Sequence, residues 1–478
     1  MDFTKLTYLT TVLLLLFGSC NNERATKRSH KMPPIFPDYR GVTIPPNIAP
    51  LNFEIEGARH LVATYHFEGD ELFVAKGSNR IQIDADEWKK ALDLAKGNVL
   101  TVTVSVWNDQ NPEGIEYTSF PIYIASEAID PYIAYRLIPP GYEEWKNMGI
   151  YQRCLSSFHE DAIVTNAQNN KGCVNCHSFC DYSPQKLMFH ARGKNGGTVI
   201  TSKNTLEKIE LEALPGGKSG TYPYWHPSGR YIVFSSNTTR QSFYGHCRNK
   251  IEVYDLGSDL IIYDRKKKIV LSDPRFNEES QWETFPSFSP DGKSLYFCTA
   301  KAQEMPKNAN LLKYSICRIG FNEDSGILSE QVDTLYSSTR RGGSASFPRI
   351  SPNGRYLLYT EAECATFPIH HKEADLKMID LKTKKEISTC ALNSNDVDSY
   401  HSWSSNGRWI LFSSKRIDGR YTRLFIAHVE KNGKFGKPFL LPQIKPEHNR
   451  LRFYSYNIPE FINNKVNLSK DAVADLFK

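Results

Sequence analysis

One seventeen-residue frame recurs four times along the chain: "TYPYWHPSGRYIVFSSN" (221–237), "TFPSFSPDGKSLYFCTA" (284–300), "SFPRISPNGRYLLYTEA" (346–362) and "SYHSWSSNGRWILFSSK" (399–415). Its glycines, Gly229, Gly292, Gly354 and Gly407, are spaced 63, 62 and 53 residues apart, a period that marks a repeated supersecondary unit. Ser289-Pro290-Asp291-Gly292 places Ser, Pro and Gly as a type I turn requires, so the turn joins two antiparallel strands. Beyond it Leu295 and Phe297 alternate with Ser294 and Tyr296, as in a half-buried strand. "DLIIYDRKKKIVL" and "DLKMIDLKTKKEIS" read as further hairpins within the same periods. Four strands per period make a propeller blade. The alternative, a β-sandwich with chance repeats, does not account for four turns in one frame.

A fifth, worn copy is visible in "CDYSPQKLMFHARG" (180–193), where Ser183-Pro184 opens the turn and the Gly is missing. With residues 435–462 supplying the last strands the ring has six blades; without them it has five. The four intact copies resemble the WD40-like β-propeller repeats of the TolB family, whose motif runs aromatic-Pro, Ser-Pro-Asp-Gly, then a strand ending aromatic-Ser. The resemblance implies a TolB-like propeller over residues 181–470.

Ahead of the ring, "LNFEIEG", "HLVATYHFEG", "LFVAKG", "RIQIDA", "VLTVTVSVWN" and "YTSFPIYIA" are short alternating runs bounded by turn residues. They predict a small β-sandwich over 46–125, interrupted by one helix in "DADEWKKALDLAKG". Residues 126–180 read as a connector with a helix near "GYEEWKNMGIYQRCL". The expected fold class is therefore mainly β, a sandwich followed by a five- or six-bladed propeller.

The first twenty residues predict the compartment. Lys5 precedes an apolar run from Leu9 to Phe17, too short for a mature membrane span and suited to a signal segment. Phe17-Gly18-Ser19-Cys20 resembles the lipobox of bacterial lipoproteins, which implies cleavage before Cys20, lipidation of Cys20 and an outer-membrane anchor facing the periplasm or the cell surface. A plain signal peptide with a chance cysteine is the simpler alternative. Residues 21–45 then read as a polar, proline-ended tether. The net charge of +6 on 478 residues is mild and scattered, so nucleic acid is not an expected partner.

Export bears on the ten cysteines. With Cys20 assigned to lipid, nine remain: Cys154, Cys173, Cys176, Cys180, Cys247, Cys298, Cys317, Cys364 and Cys390, an odd number that leaves at least one unpaired. Cys298 and Cys317 sit in strand-like runs and read as small buried hydrophobes.

Three cysteines and a histidine crowd into "KGCVNCHSFC" (171–180). Cys173-Val174-Asn175-Cys176-His177 matches the C-x-x-C-H pattern of c-type haem attachment, in which two thiols meet the porphyrin vinyls and the next imidazole binds iron. The expected set is thus Cys173 and Cys176 for attachment and His177 as axial ligand, with the sixth position either open or filled by Met188 or His190, His190 reading otherwise as an ordinary strand histidine, and Arg192 as a propionate partner or equally a surface charge. Three alternatives use the same residues. One is a disulfide among Cys154, Cys173, Cys176 and Cys180, with Cys154–Cys180 the pair left over if haem binds; the others are a Cys173-Cys176-Cys180 zinc site and an iron–sulfur cluster. The segment is similar to one found in exported TolB-like propeller lipoproteins. Cytochromes c, by contrast, carry the motif in a compact helical domain.

No G-x-S-x-G elbow is present, and too little chain follows the ring to hold a hydrolase domain. "GKNGG" (193–197) lacks the Lys-Ser/Thr of a phosphate loop, and His370-His371 reads as a solvated loop. Two functions follow: an anchored haem-bearing propeller for electron transfer or sensing, or a haem-free, disulfide-closed scaffold binding an envelope protein or glycan.

Overall fold

The computed structural model describes residues 24–139, 147–203, 205–245, 251–364 and 367–478. The lipidation candidate Cys20 and Cys247 lie outside these residues. Six four-stranded antiparallel sheets follow one another as the blades of a propeller. Blade 2 runs Val174–Phe179, Leu187–Ala191, Gly197–Ser202, Thr205–Ile209, and blades 3 to 6 begin at the inner strands Thr221–Trp225, Gln281–Phe288, Ser344–Ile350 and Asp398–Trp403. Blade 1 takes Tyr132–Ile138, Gly149–Cys154 and Glu160–Thr165 from one end of the chain and its inner strand, Ser455–Ile462, from the other. The inner strands touch in sequence around the axis, and Ser455–Ile462 closes the circle against both blade 6 and blade 2.

The repeat frame explains each inner hairpin. In blades 4, 5 and 6 the Gly N–H closes the turn on the Ser carbonyl, at 2.9, 2.8 and 2.9 Å for Gly292, Gly354 and Gly407. The Ser hydroxyl donates to the Asp or Asn two residues on and accepts the N–H five residues on. The glycine follows at φ 71°, 71° and 64°, a left-handed conformation that disfavours a side chain. Blade 2 lacks that glycine and turns instead through Asp181 and Tyr182, both at positive φ.

The segment read as a connector belongs to the ring. Residues 132–165 carry the three outer strands of blade 1, and the helix expected near 141–155 is a strand over Gly149–Cys154; residues 140–146 lie outside the described residues. The alternation in "YIAYRLI" buries Ile133, Tyr135 and Leu137, and for Gly149–Cys154 pairing with Tyr132–Ile138 on one side and Glu160–Thr165 on the other overrides local helix propensity.

Before the ring, Val99–Asn108 pairs with His60–Phe67 along one edge and divides its other edge between Asn111–Glu116 and Phe120–Ile124. The sheet thereby forks at Val99–Asn108, and Phe53–Glu54 pairs with Arg80–Ile81 as a separate two-stranded ribbon. The helix Ala85–Leu94 starts where Asp84 accepts from the N–H groups of Asp86 and Glu87, and it buries Trp88, Ala91 and Leu92. The expected tether is partly structural. Lys27–Arg28 and Thr43–Ile44 add parallel strands to this sheet, and Ile35, Tyr39 and Val42 are buried, because these apolar side chains find the sandwich core. That core runs on into blade 6 through Trp409, Leu411, Leu424 and Ile426.

Candidate functional site

Each blade carries a bulge at the same place on its inner strand, where two residues oppose one on the neighbour. The first residue of each pair is left-handed: Cys176 at φ 51°, Tyr222 at 47°, Phe285 at 51°, Phe347 at 52°, Tyr400 at 48° and Ile458 at 50°. No glycine fills any of these positions, so packing at the axis holds a backbone that costs roughly 1 kcal/mol per residue. The aromatic members meet one another: ring centroids lie 4.7 Å apart for Tyr222 and Phe285, 4.1 Å for Phe285 and Phe347, and 5.1 Å for Phe347 and Tyr400.

Cys176 is the member of this tier that blade 2 contributes. Asn175-Cys176-His177-Ser178-Phe179 takes the places of Ser399-Tyr400-His401-Ser402-Trp403 in blade 6, so the C-x-x-C-H segment is itself the opening of a repeat. Cys173 stands in the turn before it, its carbonyl accepting from Arg192 N at 2.9 Å and Asn169 Nδ2 at 3.2 Å. Gly172 makes this approach possible, because a Cβ there would lie 2.2 Å from the Arg192 carbonyl oxygen. Gly172→Ala is therefore expected to cost about 2 kcal/mol in urea denaturation, and an unchanged midpoint would show that the turn relaxes freely.

Cys173, Cys176 and His177 are 4%, 8% and 2% exposed, and both thiols are free. Burial pushes the Cys173 thiol up, Cys176 adds to the effect, and Arg136 and Arg192 oppose it. Burial and then the Arg136 charge push His177 down to about 3, against a smaller pull from the Ile458 backbone. The imidazole is thus neutral; the Ile458 backbone is a hydrogen-bonding group that acts on it, and among the described residues neither ring nitrogen reaches a partner in good hydrogen-bond geometry. Arg136 Nε beside it is buried and unpartnered as well, as are Asn169 Oδ1 and Asn175 Oδ1 in the same blade region. Such groups are rare in native proteins and usually mark a missing ligand or water. Sequence reasoning missed Arg136 and the two asparagines; an arginine inside the apolar alternation 132–138 was the available signal for the first.

The distal candidates face away. In blade 2 Ser178 pairs with Met188 and Asn175 with His190, while His177 shares its face with Phe179. Phe179, Leu187 and Phe189 pack toward blade 1, whereas Met188 packs with Cys180, Ile200 and Trp225 toward blade 3. Met188 and His190 therefore lie across the sheet from His177 and cannot share an iron with it. His190 is a strand histidine whose Nδ1 lies 3.2 Å from Thr198 Oγ1, pushed down to about 4 by burial and Arg192. Arg192 itself is exposed.

Cys180 is fully buried with its sulfur 3.6 Å from the His226 carbonyl oxygen, and Cys154 is a half-buried thiol 3.3 Å from Ser156 Oγ in another blade. Both are free, so the Cys154–Cys180 pairing does not form, and Cys180 points away from any zinc site with Cys173 and Cys176. Among the described residues no three His, Cys, Asp or Glu side chains come together as a metal site. Cys298 and Cys317 are buried in blade 4, as expected.

The His370-His371 loop is not solvated. His370 stacks on Phe367 at 6.4 Å and is pushed down to about 3 by burial. The His371 side chain is 3% exposed, with Nε2 3.2 Å from Glu252 and Nδ1 3.1 Å from Glu373. Glu252 comes from the long hairpin of blade 3, so this contact ties blade 3 to blade 5.

No family model matches the chain, and no curated protein matches it. Among solved structures it is similar to an oligogalacturonate lyase in complex with manganese, at 15% identity over 64% of this chain and 78% of that one, with a TM-score of 0.37. It is also similar to a puromycin-hydrolysing peptidase of Mycobacterium tuberculosis, at 10% identity over 84% of this chain and 57% of that one, TM-score 0.38. Dipeptidyl peptidase 4 of Porphyromonas gingivalis matches at 11% identity over 64% of this chain and 50% of that one, TM-score 0.29. The chain thus spans little more than half the length of the two peptidases. These likenesses are distant and carry nothing about activity. Among the described residues no helix is long and apolar enough to cross a membrane.

Proposed function

We propose that the chain is an exported, lipid-anchored propeller scaffold carrying one c-type haem, attached through Cys173 and Cys176 with His177 as axial ligand, for electron transfer or sensing at the cell envelope. The observation that carries this reading is the buried, neutral imidazole of His177, without a well-formed hydrogen bond, beside two free thiols in the attachment order. The donor set fits the group: the thiols are unpaired, the imidazole keeps a lone pair, and Arg136 brings an unpartnered N–H and a positive charge beside it. When bound, haem supplies reversible one-electron transfer. The chain's own residues hold the site. Gly172 and Asn169 fix the turn at Cys173, the bulge aims Cys176 at the axis, and burial, with Arg136 adding to it, keeps His177 unprotonated. Anchoring at Cys20 rests on the lipobox-like leader.

A second reading is favoured by the place of the motif in the repeat. His401, the blade 6 counterpart of His177, is a structural residue with Nε2 3.0 Å from the Leu358 carbonyl oxygen. On that reading His177 is structural too, and the ring is a haem-free platform for an envelope protein or glycan. One experiment separates the two: expression with an active cytochrome c maturation system, followed by an alkaline pyridine haemochrome spectrum and intact mass. The haem reading expects a haemochrome band and a mass above that of the polypeptide, both lost in the Cys173→Ser, Cys176→Ser variant. A bare polypeptide mass with no band overturns it in favour of the scaffold.

A further inference from the structure

Two residues beyond each left-handed position the inner strands present a second, polar tier: Ser178, Tyr224, Ser287, Arg349, Ser402 and Glu460. It contains one cation, Arg349 from blade 5, and one acid, Glu460 from blade 1, and the two do not touch. Arg349 donates to the Pro348 carbonyl at 3.0 Å and lies 4.9 Å over the Tyr224 ring, while Glu460 Oε2 accepts from Phe179 N at 3.2 Å. Between them is a cavity of about 20 Å3, enough for one or two water-sized occupants. Arg349, Glu460, Ser402 and His401 form its polar walls, with Phe347 and Ile458 among the apolar ones. The Ser402 hydroxyl is buried without a partner among the described residues, and His401 already spends Nε2 on Leu358.

The charges on these walls do not cancel. Burial pushes Glu460 up to about 8 against the pull of the Arg349 charge and the Phe179 N–H, so at neutral pH it is mainly the uncharged acid. Burial lowers Arg349 as well, yet a guanidinium stays protonated throughout the working range. Beside the pair, burial raises Tyr182, Tyr224 and Cys298 and pushes His401 down to about 3, while the carboxyls of Asp130 and Asp181 act on Tyr182. The guanidinium of Arg349 makes no ion pair with Glu460, which stands across the cavity from it, and the space between them is where a small anion fits.

We propose that the axial cavity binds a small monovalent anion of halide or formate size, held by the guanidinium of Arg349 with the Ser402 hydroxyl as second donor. The Glu460 carboxyl completes the site while protonated and expels the anion once it ionises. Binding is therefore strongest below about pH 8 and is lost as Glu460 gives up its proton.

The test is thermal unfolding of the full chain at fixed ionic strength, with chloride or formate exchanged for gluconate, which is too large to enter. At pH 6.5 the small anions should raise Tm by about 2 °C over gluconate, and at pH 9.5 the difference should vanish. Glu460→Gln should keep the rise at both pH values, Ser402→Ala should weaken the apparent affinity several-fold, and Arg349→Met should abolish the response. Equal Tm in chloride and gluconate overturns the proposal, as does a rise that Ser402→Ala and Glu460→Gln both leave as in the wild type. These two substitutions keep the test decisive if Arg349→Met does not fold. In crystals grown in bromide, an anomalous peak beside Arg349 is expected, and ordinary water density there overturns the assignment.

Discussion

A chain ended after Tyr454 will fail to fold as a cooperative ring. That truncation removes the inner strand of blade 1, which pairs with Tyr132–Ile138 from Ser455 to Ile462, and the tail that follows it. It strips out Tyr456, Phe461, Ile462, Val466, Val473 and Phe477, each at most 6% exposed. At about 1.5–3 kcal/mol per buried side chain the loss is on the order of 10 kcal/mol, comparable with the whole stability of a domain. The cut also bares the edge of Tyr132–Ile138, a template for pairing with other chains. The expected result is a broad, non-cooperative melt by circular dichroism and aggregation on gel filtration. Phe461→Ala, a milder change, should cost about 3–4 kcal/mol in urea denaturation. A truncated chain melting sharply within a few degrees of the full one would show that five blades and a partial sixth close without this strand.

His371→Gln should produce a large pH-dependent effect on stability. The pair of glutamates, Glu252 and Glu373, outweighs burial and pushes His371 up to about 9, so it is an imidazolium in the folded protein at neutral pH. The folded value lies above the unfolded value of about 6.5, so the stabilisation is fully present below pH 6.5 and is lost as pH rises through about 9. A shift of that size is worth on the order of 3 kcal/mol. Urea denaturation of wild type and His371→Gln should therefore show a gap that narrows by about 3 kcal/mol between pH 6 and pH 10. Taking the difference between the two proteins removes the contributions of Glu283 and Glu460, both pushed up to about 8. A gap constant across that range would mean the histidine is uncharged between its glutamates.

The repeat frame was legible because its information is local. Ser-Pro-Asp-Gly writes a turn within four residues, and period-two alternation writes the strand after it, so blades 3 to 6 could be read without knowing any long-range contact. Blade 2 was half legible: its turn was recognised, but its inner strand was hidden because Cys176-His177 stands where the other copies mostly have aromatic-Pro. Blade 1 was not legible as a blade, since its strands come from opposite ends of the chain and no local pattern announces the pairing of Tyr132 with Ile462. The same gap misplaced the tether, where Tyr39 and Val42 find their burial only against the folded sandwich.

For the candidate site the division is similar. The spacing of Cys173, Cys176 and His177 carries the attachment pattern by itself, because two thiols and an imidazole in that order are a covalent fact of the chain. Met188 and His190 could be named as a same-face pair from parity, but the face on which His177 stands depends on the bulge between Asn175 and Ser178. That bulge turns His177 toward blade 1 and Arg136, and away from both distal candidates. Turn chemistry, alternation and the C-x-x-C-H order thus belong to the sequence alone. Ring closure, the burial that leaves His177 neutral and the meeting of Arg349 with Glu460 at the axis were decided only by tertiary structure. They depend on strands hundreds of residues apart arriving side by side, and the loss of solvent that shifts those charges exists only once the ring has closed.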